Sequence, residues 1–277
     1  MKKVLFLIVF LAFSEVAFAQ EKPGLLITPT RVLLDGRTRS ASVSVANNGN
    51  VEGTYAISVV NRRMQEDGTI VPMGEDEEAI EGEKFAIDML RISPRRITLQ
   101  PGEHQNVRIL ARKPADLEDG EYRSHLNFKI VNEDTTEREK NSEQTDNSLI
   151  ISIKANFGVT IPVIIRQGEV FASGQINDLK LVSNDDGSKS VEFDITRTGN
   201  SSIYGDIIIL YKAKDGAELI LKSMGGLAVY APNKNRKFKV MLDVPEGVSI
   251  EGGTLEVQYK SKAKEGGEIL ASKKIEL

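Results

Sequence analysis
From Leu149 to Ile161 every odd position is apolar: Leu149, Ile151, Ile153, Ala155, Phe157, Val159 and Ile161. The even positions are mostly small or polar (Ser152, Lys154, Asn156, Gly158, Thr160), and only Ile150 breaks the pattern. A period of two is the mark of a β-strand with one apolar face. Strands usually run about 3 to 10 residues, so a one-sided ladder of this length is more than a small sheet needs to cover itself. Part of the strand is therefore expected to serve another protein. The competing account is a central strand enclosed by its own sandwich, and the residues of this stretch alone leave that account open.

The rest of the chain follows the same grammar. Ala41, Val43 and Val45 alternate with serines and end at Asn47-Asn48-Gly49-Asn50, and Tyr55, Ile57 and Val59 form the next strand. Val107, Ile109 and Ala111 alternate after Pro101-Gly102, and Leu126, Phe128 and Ile130 share one face of another strand. Residues 62 to 83 are polar and acidic, and are expected to be a solvated loop around Glu75-Asp76-Glu77-Glu78. Asn132 to Ser148 is almost wholly polar. The chain restarts near Gln167-Gly168, and further strand candidates separated by Asp-Gly, Pro-Asn and Gly-Gly turns follow to the end. No helical period of apolar residues persists after the leader. Short strands at this spacing predict an all-β protein of two immunoglobulin-like β-sandwich domains, at 22–166 and 169–277.

The leader itself is legible. Lys2 and Lys3 precede an apolar run from Val4 to Phe13, and Ala17-Phe18-Ala19 is a small-x-small cleavage site, so 1–19 reads as a secretory signal peptide. Ser14 and Glu15 interrupt the run too early for a membrane span of about 20 residues. The 277-residue chain contains no cysteine, so ordinary core burial must hold both domains, and thiol catalysis and cysteine-ligated metals are excluded. With 36 Lys and Arg against 40 Asp and Glu, the net charge of −4 lacks the basic surplus that nucleic acid or an anionic membrane requires. The only histidines, His104 and His125, sit in no nucleophile, metal or phosphate motif, so neither catalysis nor a metal site is expected.

Four segments taken together resemble the periplasmic pilus chaperone (PapD-like) family. They are the Thr28-to-Asn47 strand pair; Ile92-Ser-Pro-Arg-Arg-Ile-Thr-Leu-Gln-Pro-Gly-Glu-His-Gln-Asn-Val-Arg-Ile; Leu117-to-Phe128, where Arg123 and Ser124 keep part of an Arg-Glu-Ser motif; and the long strand closing at Ile164-Ile165-Arg166. The resemblance covers residues 25 to 168 well and the second domain only by size and strand count. It implies two sandwiches set as a boomerang and a non-enzymatic chaperone of fimbrium biogenesis and cell wall organization, working in the periplasm without ATP, metal or other cofactor.

In such a chaperone the long strand is lent to a pilus subunit whose own immunoglobulin fold is incomplete. Aligned on Arg166, the lent residues are Ile153, Ala155 and Phe157, extended by Leu149 and Ile151; Val159 and Ile161 are assigned to the chaperone's own core. The subunit then passes to an outer-membrane usher-type assembly protein. The family grips the subunit's C-terminal carboxylate with an arginine and a lysine. The arginine carries over onto Arg31, while the place of the lysine falls at Pro162, a departure from the family pattern. Arg108, Arg123 and Arg166 are expected to be structural. Self-association through the donor strand stays open, as does a role for the second domain in touching the client. The alternative function is a secreted immunoglobulin-like adhesion or structural module, which would be found in an assembled fibre.

Overall fold
The structure, a computed structural model, describes residues 23–74, 76–131, 158–262 and 266–277. The signal peptide and the lent residues Leu149, Ile151, Ile153, Ala155 and Phe157 lie outside the described residues.

The first half supplies β1 (Leu26–Thr28), β2 (Val32–Leu34), β3 (Ser40–Ala46), β4 (Gly53–Val60), β5 (Arg62–Met64), β6 (Ile70–Pro72), β7 (Leu90–Ser93), β8 (Arg96–Leu99), β9 (His104–Ala111), β10 (Gly120–Ile130) and β11 (Gly158–Gln167). One sheet has the order β1-β3-β9-β7 and the other β2-β11-β10-β4-β8. The opening strand changes sheet midway: β1 pairs with β3, and after Pro29, which has no N–H to continue a ladder, β2 runs parallel to β11. Alternation decides what lies between the sheets. Val43, Val45, Val107 and Ile109 of one sheet face Leu34, Tyr55, Leu99, Leu126, Phe128, Val163 and Ile165 of the other, all with no exposed surface. Removing a buried side chain of this size costs about 2–5 kcal/mol.

A single amide closes one end of this sandwich. Asn47 is fully buried; its Nδ2 donates to Val51 O at 2.7 Å and Leu99 O at 3.0 Å, and its Oδ1 accepts from Gly24 N at 2.9 Å and Gly49 N at 3.0 Å. The Asn-rich turn is thus built around one residue that ties three segments together.

The second half forms β12 (Ala172–Ser183), β13 (Lys189–Gly199), β14 (Ile203–Lys212), β15 (Glu218–Val229), β16 (Asn235–Met241), β17 (Thr254–Ser261) and β18 (Ile269–Glu276), in sheets of order β12-β13-β16 and β15-β14-β17-β18. Its separate core holds Val191, Phe193, Ile195, Ile207, Ile209, Leu255, Val257 and Tyr259. Phe193 and Phe238, directly opposite in the β13–β16 ladder, stack with ring centroids 5.0 Å apart. The chain is therefore two all-β sandwiches of immunoglobulin type. Among the described residues the only helical element is a 3-10 turn at Ile87–Met89, inside a stretch whose sequence predicts a strand from Phe85 to Ile92.

The acidic stretch also departs from expectation. Rather than a solvated loop throughout 62–83, it begins with the β5–β6 hairpin, whose tip lies against the second sandwich. Lys237 N donates to Glu66 O at 2.7 Å, and Asn233 Nδ2 donates to Met64 O at 2.9 Å. These partners are about 170 residues away in sequence for both bonds, as 237 − 66 and 233 − 64 show. Local composition therefore carries no sign of them. The acidic residues that follow are partly used too: Glu83 is buried and salt-bridged to Arg63 at 2.6 Å, and Glu77 pairs with the same arginine.

Candidate functional site: an open strand edge beside a cationic cleft
β11 is held unequally along its length. On one side it pairs with β10 throughout, from Lys129↔Gly158 to Gly120↔Gln167. On the other side, among the described residues, β2 covers it at Val163, Ile164 and Ile165 alone. Among the described residues the strand is consequently interior where β2 joins it and an edge from Gly158 to Pro162.

Its core-facing side chains follow the same division. Ile165, Val163 and Ile161 are 0%, 0% and 2% exposed, whereas Val159 is 37% exposed. Val159 is expected in the core but is exposed, although its cross-strand partner Phe128 is fully covered by the sandwich. The apolar ladder thus emerges from its own domain at Val159, and the sequence continues it in the same parity through Phe157, Ala155 and Ile153.

The opposite face of this sheet looks toward the second sandwich. Leu33 and Ile164 pack there with Met64, Ile70, Ala228, Tyr204 and Tyr230. Arg31 has the same parity as Leu33, and its guanidinium carbon lies 4.2 Å from the ring centroid of Tyr204. Arg31 and Pro162 are the residues that immediately precede the first registered pair, Val32 with Val163.

Three further cations reach this junction. Arg123 is 5% exposed, stacks 4.1 Å from the Tyr230 ring centroid and donates Nη1 to Ala231 O at 2.9 Å. Arg236 donates to Ala228 O at 2.6 Å, and Arg62 enters from the β5–β6 hairpin. The Nε atoms of Arg31, Arg62, Arg123 and Arg236 are all buried without a hydrogen-bond partner, as is Nδ1 of His125. Burial lowers the pKa of Arg123 and Arg236 from the usual guanidinium value. His125, directly opposite Pro162 in the ladder, is pushed down to about 3 by burial and then by the Arg123 and Arg62 charges, so its imidazole is neutral at any ordinary pH.

Arg166 behaves as the sequence suggests, as a structural residue. Its Nε donates to the buried Glu121 carboxylate at 3.2 Å, which in turn accepts from Ser202 N at 3.2 Å and from the Ser202 hydroxyl. Arg123 is structural as well, through a carbonyl and a ring rather than an ion pair. Sequence reasoning missed Arg62, His125 and Arg236 as members of the cleft. His125 could have been found by parity, since Leu126 and Phe128 face the core and so turn Arg123, His125 and Asn127 outward; the other two depend on long-range docking.

No group here is poised for nucleophilic or acid-base chemistry. What the arrangement offers is a strand edge with an emerging apolar ladder, next to four guanidinium groups that form no ion pair among the described residues.

Residues 24–166, more than half of the chain, match the model of the pili and flagellar-assembly chaperone, PapD N-terminal domain. This protein belongs to that family of pilus chaperones, and it is a chaperone rather than an enzyme. A search of curated proteins finds no match. Among solved structures it is similar to the CupB2 chaperone of Pseudomonas aeruginosa (12% identity, 91% of this chain and 100% of that one, TM-score 0.44). It is also similar to the E. coli chaperone DraB (12% identity, 92% and 96%, TM-score 0.42). A third is the Salmonella enterica SafA pilin in complex with the SafB chaperone (14% identity, 94% and 99%, TM-score 0.43). With TM-scores below 0.5 these likenesses carry no argument, and membership rests on the family match.

Proposed function
We propose that this chain is a periplasmic chaperone that binds and caps incomplete pilus or fimbrial subunits by strand donation, then releases them to an outer-membrane usher-type assembly protein. One observation carries the reading: among the described residues, β11 has no second partner strand from Gly158 to Pro162, at the point where its apolar face leaves its own core. A subunit lacking a strand offers the complement, an unpaired edge beside an apolar groove. The donated side chains are Leu149, Ile151, Ile153, Ala155 and Phe157, the domain that lends them is 22–166, and Arg31 anchors the client's terminal carboxylate through two parallel hydrogen bonds. Full burial of a large apolar side chain contributes about 1.5–3 kcal/mol, so several of them offset the cost of ordering the strand. Handover needs no nucleotide, because the next subunit supplies a better-fitting strand to the same groove.

The test is co-purification from the periplasm with the subunit encoded beside this gene. Ile153→Asp places a charge in the donated ladder and is expected to abolish recovery of the subunit while the free protein keeps its melting transition. Unchanged recovery would refute donation. Recovery of the chain within an assembled fibre would instead favour the adhesion or structural module.

A further inference from the structure
One buried cation lies away from Arg31 and Pro162 and has no part in strand lending. Arg197, near the end of β13, is 5% exposed. Its Nε donates to Asn233 O at 2.9 Å, and its Nη1 donates to Gly199 O and Ser201 O, both at 2.8 Å. These acceptors are carbonyl dipoles, which satisfy donors without cancelling a charge. Among the described residues Arg197 forms no ion pair. Glu121, the acid whose charge it feels, is already taken by Arg166 and Ser202. A buried charge without a partner costs several kcal/mol. The remaining nitrogen, Nη2, donates to nothing among the described residues and is not sealed from solvent.

Arg197 lines a cavity of about 660 Å³ whose walls come from both sandwiches. Glu81, Gly82, Lys84 and the start of β10 form one wall; the end of β13 with Ala231, Pro232 and Lys234 forms the other. Backbone bonds fix the walls: Glu121 N donates to Asn200 O at 3.3 Å across the halves, and Arg197 N donates to Lys234 O at 2.6 Å. A Cβ on Gly82 would lie 3.3 Å from Cβ of Pro232. This is a different place from the client-facing edge. Pro162 stands opposite His125, and the five residues of β10 from Gly120 to His125 span about 17 Å.

The charges on the walls are unequally engaged. Lys84 is held by Glu118 at 2.9 Å and by Asp119 O at 3.2 Å, and the Asp119 carboxylate accepts Glu169 N at 3.1 Å. Lys234 is exposed and forms no ion pair among the described residues, and the same holds for Glu81. We infer that this cavity binds a small free oxyanion, of phosphate or dicarboxylate type, between Nη2 of Arg197 and the ammonium of Lys234. Nε and Nη1 are committed to carbonyls, so the two-pronged guanidinium grip is not available. A compact anion bridged by two separate donors suits what is left, and a cavity of this size holds it with some of its water. Because both sandwiches contribute walls, the bound anion favours their docked arrangement. Nothing in this depends on strand donation.

The test is calorimetric titration of the full chain, purified without client, with inorganic phosphate and separately with succinate at constant ionic strength. At least one anion is expected to bind saturably at one site per chain, and the Thr198 and Gly199 amide signals should move with the same midpoint. Lys234→Gln should weaken binding at least about fivefold. Glu81→Gln, which takes a like charge off the wall, should strengthen it about two- to fivefold. Both positions are exposed, so neither change threatens the fold. Saturation by phosphate alone or by succinate alone supports the site and identifies its ligand. No saturable binding of either, or wild-type affinity in both variants, would overturn the inference.

Urea unfolding reads the link between the halves. The anion should raise the midpoint of the wild type and not that of Lys234→Gln; an equal rise in both is a general salt effect and would overturn the link. Ile153→Asp should bind the anion as the wild type does, whatever becomes of subunit recovery, so the failure of either claim leaves the other standing.

Discussion

At the scale of single residues, Asn47 and His125 show opposite treatments of a buried polar group. Asn47 uses its amide for four backbone partners, so Asn47→Ala strands several buried groups at once. Each unsatisfied buried group costs about 1–3 kcal/mol. His125 is buried with Nδ1 unpaired and faces Arg123 and Arg62, and its pKa is lowered to about 3. An unfolded histidine takes its proton near pH 6.5. Between pH 6.5 and 3 the unfolded chain therefore binds the extra proton, and stability falls with falling pH by about 1.4 kcal/mol per unit. Urea unfolding at pH 7 and pH 5 should show wild type losing about 2 kcal/mol more than His125→Phe over that interval; equal losses would place His125 in a wetter site. The core faces of both sandwiches were legible because alternation with period two needs only neighbours in sequence. Val159 was assigned to the core on the same parity, and it fails there because parity gives the face of a residue but not whether an opposite sheet extends that far.

At the scale of elements, the β5–β6 hairpin is the piece that local sequence could not reveal. Its strands have three residues each, too short for a periodic signal, and the residues that reward its folding belong to the second sandwich. Gly68 at the turn has φ +87°, and a Cβ there would lie 2.1 Å from Arg236 Nε. Gly68→Val is thus expected to strain the turn and displace a partly buried guanidinium together. A loss of about 1–3 kcal/mol and faster amide exchange at Lys237 would report the undocked hairpin; an unchanged Lys237 amide would mean that the hairpin contributes little to joining the halves. β11 was recognisable as a long alternating strand, but its division into a covered and an uncovered part depends on where β2 joins it, which no periodicity encodes.

At the scale of the whole molecule, the two sandwiches are joined by buried chemistry rather than by a slack linker. Glu121, with its side chain 1% exposed, bridges Arg166 and Ser202, and Arg123 reaches Ala231. Removing one member of a buried charged pair costs about 3–5 kcal/mol because the other is left unpaired. Glu121→Ala should consequently lower stability by that order and split a single calorimetric transition into two, one for each core. A single transition would show that the apolar contacts around Ile164 and Tyr230 suffice to couple the halves. Arg31 lies against the Tyr204 ring, and its part as the client's anchor belongs to the proposed function. The remaining cations come from elements that meet only when both sandwiches are folded.

The short grip of β2 on β11 has a mechanical consequence. β10 holds the ribbon as far as Gly158 and β2 adds a second hold at Val163 to Ile165, so the phase of its side chains is fixed at this root. Any guest that zips onto the tip can shift only by an even number of residues, because an odd slip would turn every oily side chain outward. On the proposed function, the cleft at the root would act as an end-stop, and guests would be sorted by how far their final residues extend past their own groove.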